Sequence, residues 1–483
     1  DRLLAERLER DRGKEWADYP PEARRYYGWK RFTRGFVGFA NVDTHCTPED
    51  ARSLYARFPV TEAKFIFLDQ FDTDHQIARL TFDAYPHLRT VHLDIDHGYD
   101  LPADRPRAAA CRGLAAAESR SGLTRLEIQG NPPLEGLEAI VTSPHLRRLE
   151  VLSVRGDGVG DDHARRLADQ LNLPALRELV LGHRALTPAG GEALGRAPWL
   201  PQLEVLRLYG HEQLGDAGVR QLLARQPLPN LRTVQLHHCG QDGAELRLAG
   251  GPRLPGLVEV IVAGYYPKPA DVMRLAKGPQ QFRSLTLPGA RLSAAEAARF
   301  FNGPAVRDLR RLVLPSANLD VAGVEALANS PLPRGLRWLT LDCDSRQFDP
   351  LLSLLRPEWP HLERLELHTP VPASTLMAIV NSEKFPRLVS LIAGCRDRGH
   401  VFLKWLAGAP AAAKMRELDL NFALTPATAR ELADSPHIDG IDRLAIKKGR
   451  TDRASCEYLV ARFGKRAQIA GFNASSAGFL MGD

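Results

Sequence analysis

Three groups of side chains in this sequence have types and spacings that could do chemistry. In GDDHARR, Asp161, Asp162 and His163 set two carboxylates beside an imidazole, the makings of an acid–base pair or a metal site. His211, His237, His238 and Cys239 offer nitrogen and thiolate donors of the kind that hold zinc, although two adjacent residues converge on one ion only through a special turn. The stretch GWKRFTRGFVGFANV, residues 28–42, is the most aromatic and basic part of the chain's beginning. It suits either a basic-aromatic recognition surface or a cover for an apolar edge. Against enzymatic chemistry, the sequence has no P-loop pattern, no G-x-S-x-G and no H-E-x-x-H. The six cysteines (Cys46, Cys111, Cys239, Cys343, Cys395, Cys456) include no C-x-x-C pair, which favours reduced thiols over a disulfide framework or structural zinc.

The elements that must position these groups come from a repeat. Fragments of the form LxxLxL start at Leu88, Leu123, Leu149, Leu176, Leu203, Leu231, Leu257, Phe282, Leu309, Leu336, Leu362, Leu388, Met415 and Ile441; from Leu123 onward successive starts are 25 to 28 residues apart. In LRRLVL, Leu312 and Leu314 point one way and Arg311, Val313 and Pro315 the other, the period-two signature of a strand. Each strand is followed by a short loop, an apolar residue and a helix-start signal: Thr187, Ser293, Asp320 and Thr425, with Gly160 and Gly215 in two other repeats. Pro188 and Pro426 then occupy the first helical position, where a missing N–H costs nothing. AGVRQLLARQ and VAGVEALANS carry apolar residues at three- and four-residue steps, and PLPNL, PLPRGL and PHL lead into the next strand. This alignment puts Asp161, Asp162 and His163 in the first turn of a helix, where acidic residues suit the dipole, so the structural reading of that trio is preferred.

One such repeat cannot bury its strand face alone. Stacking about fourteen gives an α/β solenoid with a parallel β-sheet on the concave face and helices on the convex face. The pattern resembles the ribonuclease-inhibitor-like subtype of leucine-rich-repeat proteins, over roughly residues 60 to 465, and that resemblance implies a horseshoe. The subtype's usual Asn or Cys after the strand appears as Asn131 and Cys239, whereas Arg184, His211 and Pro370 depart from it. The step from Leu88 to Leu123 is 35 residues, which predicts that HGYDLPADRPRAA bulges out as a longer loop.

Residues 1–60 show no repeat and read as an N-terminal cap, with 61–470 as the solenoid and 471–483 as a flexible tail or C-terminal cap. Residues 2–16 and PPEARRYY read as helical, WKRFTRGFVGFANV as extended, and TPEDARSLYARFP as a helix capped by Thr47 with Pro48 next. TEAKFIFL reads as a degenerate first strand with Glu62 matched to Leu88, and Trp29, Phe32, Phe36 and Val37 are expected to cover its open edge. The W…RF.RGFV residues, an Ala/Asp-rich helix and a Phe-Pro also resemble the companion domain that precedes repeats in many bacterial leucine-rich-repeat proteins. RFGKRAQI reads as the final strand.

With 44% hydrophobic and 25% charged residues, the chain is expected to pack rather than remain disordered. No stretch approaches the roughly 18 uninterrupted apolar residues of a membrane span. The net charge of +6 is spread over 483 residues, and its densest segments, EARRYYGWKR and AIKKGR, are short, which argues against nucleic-acid binding. The bias toward Arg, Ala, Leu and Pro suits a bacterial origin, and a cytoplasmic location is expected, with neither cofactor nor metal. After successive middle strands, exposed or loop positions carry His183, Tyr209, His211, His237, His238, Tyr265 and Tyr266. Arg207 and Trp338 extend that strip, together with Val180, Ile261 and Val313. Neighbouring repeats set such residues about 5 Å apart, and aromatic side chains bury much area while Tyr keeps a polar tip. The expected function is a non-enzymatic scaffold that recognises a partner protein on its concave face, as a monomer or part of a hetero-complex. The alternative is an inhibitor or a targeting or regulatory subunit of a partner enzyme.

Overall fold

The structure is a computed structural model and describes residues 29–33, 36–43, 61–68, 87–97, 104–182, 185–239, 243–264, 266–343, 350–395, 399–421, 424–446 and 453–469. The chain forms two compact units, residues 1–248 with 253–256, and residues 249–252 with 257–483.

In the first unit, the strands Glu62–Leu68, Thr90–His97, Arg125–Gln129, Val151–Arg155, Glu178–Gly182, Val205–Tyr209 and Thr233–His237 pair in parallel. Their register sets Glu62, Thr90, Arg125, Val151, Glu178, Val205 and Thr233 in one row. The next row, Ala63, Val91, Leu126, Leu152, Leu179, Leu206 and Val234, is wholly buried, as period-two alternation requires. The first strand departs from expectation by two residues: Glu62 lies opposite Thr90, not Leu88. This register puts Ala63 and Phe65, both buried, in line with Val91 and Leu93. Phe36–Asp43 continues the sheet in parallel beside Glu62–Leu68, and Trp29–Thr33 pairs antiparallel with it. The extended reading of that segment thus resolves into two strands that occupy the first repeat's edge; residues 2–16, PPEARRYY and TPEDARSLYARFP lie outside the described residues.

Helices on the other side of this sheet begin as the sequence indicates. Thr187 caps Pro188–Arg196 by accepting from the Ala189 N–H, and Gly160 precedes Asp161–Gln170. Gly215 does not cap its helix: it is the first helical residue, at φ +56°, and Leu214 precedes it. Part of the expected long loop is helical instead, over Asp104–Ala116. Adjacent helices approach backbone to backbone where glycines allow it. A Cβ on Gly195 would sit 2.1 Å from the Gln221 carbonyl oxygen, and one on Gly191 would sit 2.6 Å from that of Gly218.

The second unit repeats the scheme. Its strands set Glu259, Ser284, Arg311, Trp338, Arg364, Ser390, Glu417 and Arg443 in one row on the solvent-facing side, where only Ser390 is buried. Ser293 and Glu296 form a reciprocal capping box, Asp320 accepts from the Gly323 N–H, and Thr425 caps Pro426–Asp434. One repeat replaces its α-helix with the 3₁₀ turns of Pro350–Leu355. The return to the next strand runs through an apolar residue followed by Pro, and in two consecutive repeats that residue is aromatic. Trp359 and Phe385 are fully buried and stack with ring centroids 6.1 Å apart and planes 12° from parallel. RFGKRAQI is not one strand: Arg453–Phe463 is helical, Gly464–Arg466 is a 3₁₀ turn, and only Ala467–Ile469 is extended. The tail, 471–483, lies outside the described residues.

Candidate recognition surface

Of the Asp161, Asp162 and His163 trio, Asp161 and His163 hold repeats together. The Asp161 carboxylate accepts the Thr187 backbone N–H at 2.8 Å and its hydroxyl at 2.6 Å, joining one helix start to the next. Asp162 pairs with Arg165, and the His163 Nε2–H donates to the Pro132 carbonyl at 2.9 Å. The four potential zinc donors take different environments. His211 is fully buried, while His238 is exposed at φ 54°. The Cys239 thiol donates to the Leu208 and His237 carbonyls. Among the described residues, no group of three His, Cys, Asp or Glu could hold a metal ion.

On the solvent-facing side of the first unit's sheet, Tyr209 and His237 are opposite one another on adjacent strands, with ring centroids 6.0 Å apart. His238 meets His237 edge-on at 4.8 Å. Burial and the neighbouring His238 lower the His237 pKa. Arg155 belongs to the same row, and Gly182 stands between it and Tyr209. Because Gly182 has no side chain, the Arg155 guanidinium reaches across to within 5.4 Å of the Tyr209 ring centroid. Arg207 is half-buried and pairs with Glu178. Val180 does not face solvent as expected: it is 3% exposed, flanked by Ser153 and Arg207 in its row. His183 lies outside the described residues.

In the second unit, Trp338 is the centre of a charged lattice. Arg311 and Arg364, its neighbours on the two adjacent strands, stand over its ring at 4.3 and 4.6 Å from the centroid. Its indole N–H donates to the Thr340 hydroxyl at 3.1 Å, which donates to Glu366 at 3.0 Å. Arg364 also binds Glu366 at 2.6 Å and reaches Glu417, which Arg443 and Ser390 bind in turn. Burial pulls the Glu366 carboxyl upward, but His368 (3.9 Å away), Arg364 and Thr340 together hold it down at about 2. Glu417 is also lowered: burial opposes its charge, and Ser390, Arg443 and Arg364 outweigh it. Ile261 and Val313 are half-exposed in the row of Thr340 and Glu366. Tyr266 is 67% exposed and lies over Gly289, where a Cβ would come 1.9 Å from its ring; Tyr265 lies outside the described residues.

The burial of His211 has a positional cause. It stands six residues after the first solvent-facing residue of its strand, as Asn131 and Cys239 do in theirs. Asn131 Oδ1 accepts the Gly158 N–H of the following repeat, and His211 Nδ1 accepts the Leu186 N–H of the preceding one. All three residues therefore link adjacent repeats, and His211 is buried in doing so. Each unit is an α/β solenoid of strand–helix repeats whose inward strand positions are mostly leucine. No family model matches the chain, and no curated protein matches it. Among solved structures, the yeast complex of Rad7 and Elc1 contains a chain that is similar over 61% of this one and 83% of its own length, at 16% identity and a TM-score of 0.41. The mouse RP105/MD-1 complex contains another, similar over 85% of this chain and 59% of its own, at 14% identity and a TM-score of 0.38.

The strand face of the first unit also carries a titrating cluster. His92 sits between Glu62 and Glu127, at 2.9 and 3.1 Å. Burial opposes a charge on its ring, yet the two carboxylates outweigh burial and raise the pKa above 6.5. His92, with Arg125, holds Glu127 at about 2. A raised histidine stabilises the fold fully below its unfolded value, near 6.5, and that stabilisation is lost as pH rises through the folded value. The lowered Glu127 acts in the opposite direction, contributing above about 4.5 and losing its effect as pH falls toward 2. In thermal melts from about pH 6 to about pH 9, the wild-type midpoint should decline relative to that of His92→Gln, by the equivalent of about 1 kcal/mol. Parallel curves would mean that the two carboxylates do not raise the His92 pKa in the folded protein.

Proposed function

We propose that this chain is a non-catalytic recognition scaffold that takes a protein partner against the solvent-facing rows of its strands. The observation that carries this reading is the fixing of aromatic side chains by their neighbours. Trp338 is held between two arginines and tied by its N–H to Thr340, and Tyr209 is held between Arg155 and His237. Side chains ordered before contact lose little rotamer freedom on docking, and buried Trp, Tyr and Arg are the residue types that dominate interface energies. Tyr209, His237, His238 and Arg207 are the contact residues of the first unit in this reading, and Tyr266 and Trp338 those of the second. His183 and Tyr265 stay candidates on sequence alone.

Affinity capture from lysate of the source cell, quantified by mass spectrometry, tests the proposal. A protein enriched by wild type should fall at least about tenfold with Tyr209→Ala/His237→Ala or with Trp338→Ala, since a central aromatic anchor contributes roughly 2 kcal/mol or more. Circular dichroism must first show that the variants fold like wild type. Equal capture by wild type and both variants would remove the strand face from the account.

A further inference from the structure

A second surface of the second unit has a different chemistry. The residue that precedes each solvent-facing row is Val258, Arg283, Arg310, Arg337 and Glu363 in five successive repeats. The three arginines are exposed and, with His361, line a cleft of about 490 Å³ at the strands' N-terminal ends. Their backbones are tied in sequence, Arg310 N–H to the Arg283 carbonyl at 2.8 Å and Arg337 N–H to the Arg310 carbonyl at 2.7 Å. The guanidinium groups therefore spring from roots about one strand spacing, roughly 5 Å, apart. Little neutralises them. Among the described residues Arg283 makes no ion pair; Arg310 donates to the Gly335 carbonyl, an uncharged acceptor; Arg337 has Glu363 at 3.7 Å, with both side chains about half exposed. His361 Nδ1, in the same cleft, is buried without a hydrogen-bond partner among the described residues.

We propose that this cleft binds a phosphate monoester carried on a side chain of a polypeptide. A carboxylate has one charge and two oxygens, which a single arginine satisfies; three guanidiniums and an imidazole match the near-double charge and three terminal oxygens of a phosphate. The basic row lasts for only three repeats, ending at Val258 on one side and Glu363 on the other, so it forms a point site rather than a track along a nucleic-acid backbone. The polypeptide source rests on the reading of the strand face as a protein-docking surface, because Arg310 and Arg337 adjoin Arg311 and Trp338 in the chain. The anion site itself stands without that reading.

Isothermal titration of the full chain at low salt tests both parts. The probes are the peptide acetyl-Gly-Ala-phosphoserine-Ala-Gly-amide, its unphosphorylated twin, inorganic phosphate and a single-stranded oligothymidylate. The phosphopeptide should bind saturably and the twin should not. Arg283→Gln/Arg310→Gln/Arg337→Gln should weaken binding by about tenfold or more, and Arg283→Gln alone, which breaks no side-chain hydrogen bond or ion pair among the described residues, by a smaller factor. An absence of phosphopeptide binding, or equal binding by wild type and both variants, overturns the site. Inorganic phosphate binding as tightly as the peptide, or the oligonucleotide binding more tightly with loss in the triple variant, overturns the polypeptide source. Loss of lysate capture by Trp338→Ala reports on the docking face, and loss of phosphopeptide binding by the triple variant reports on the anion site, so the two failures give different results.

Discussion

Replacing Trp359 with Ala should cost the second unit about 3–5 kcal/mol, the range for removing a fully buried large aromatic. Three losses combine in that substitution. The indole is fully buried, its ring stacks on Phe385, and its N–H donates to the Leu354 carbonyl at 2.8 Å. The Ala variant leaves a void between two repeats and an acceptor without its donor. Trp359→Phe keeps the stack and loses the hydrogen bond, so it should retain more than half of the stability that the Ala variant loses. Urea unfolding followed by circular dichroism gives both values. A loss below about 1 kcal/mol for Trp359→Ala would mean that the repeat collapses around the missing ring and that the stack is not what holds these two turns together.

Replacing Arg364 with Met should have the second-largest effect, about 2 kcal/mol, because it leaves two mostly buried carboxylates short of a cation. Arg364 serves Glu366, Glu417 and the Trp338 ring at once. Met conserves much of the packing volume, so the loss reports the charge. The acid limb supplies a second readout. Glu366, held at about 2 from an ordinary 4.5, stabilises the wild-type fold above about pH 4.5, and that stabilisation is lost as pH falls toward 2. Without Arg364 the folded value moves up toward the ordinary one, so the variant should have less stability to lose over that span. The gap between the two stability curves should therefore narrow as the solution is acidified. A gap that stays constant from about pH 7 to about pH 3 would mean that Arg364 acts through packing alone.

The strands were legible because buried leucines alternate with solvent-facing residues at period two, and helix starts were legible wherever a hydroxyl or carboxylate side chain caps the first turn. Thr187, Ser293, Asp320 and Thr425 all do so. Gly215 misled because a glycine has no side-chain oxygen to mark where a helix begins: Gly160 does precede its helix, whereas Gly215 is already the first residue of its own and Leu214 precedes it. Trp338 could be foreseen as a large aromatic on the solvent-facing row. Its lattice was harder to foresee, because Arg364, Glu366, Glu417 and Arg443 come together only through strand register. His211 was legible and was read two ways: as a departure from the Asn or Cys that joins loops between repeats, and as an exposed contact residue. Arg155 escaped notice because its reach to Tyr209 depends on the missing side chain of Gly182. The arginine row was also within reach of the sequence. Arg283, Arg310 and Arg337 recur at the same position in consecutive repeats, and a search for contiguous charge runs passes over residues that only stacking brings together.

Hydroxyl-radical footprinting of the chain, with and without the protein it captures, is the most direct test of recognition through the strand face. Trp338, Tyr209, His237 and Tyr266 should lose reactivity in the complex. Tyr458, 36% exposed on the helix Arg453–Phe463, should keep its own. Protection of Tyr458 with the strand-face residues unchanged would contradict the account and move recognition to the helical side.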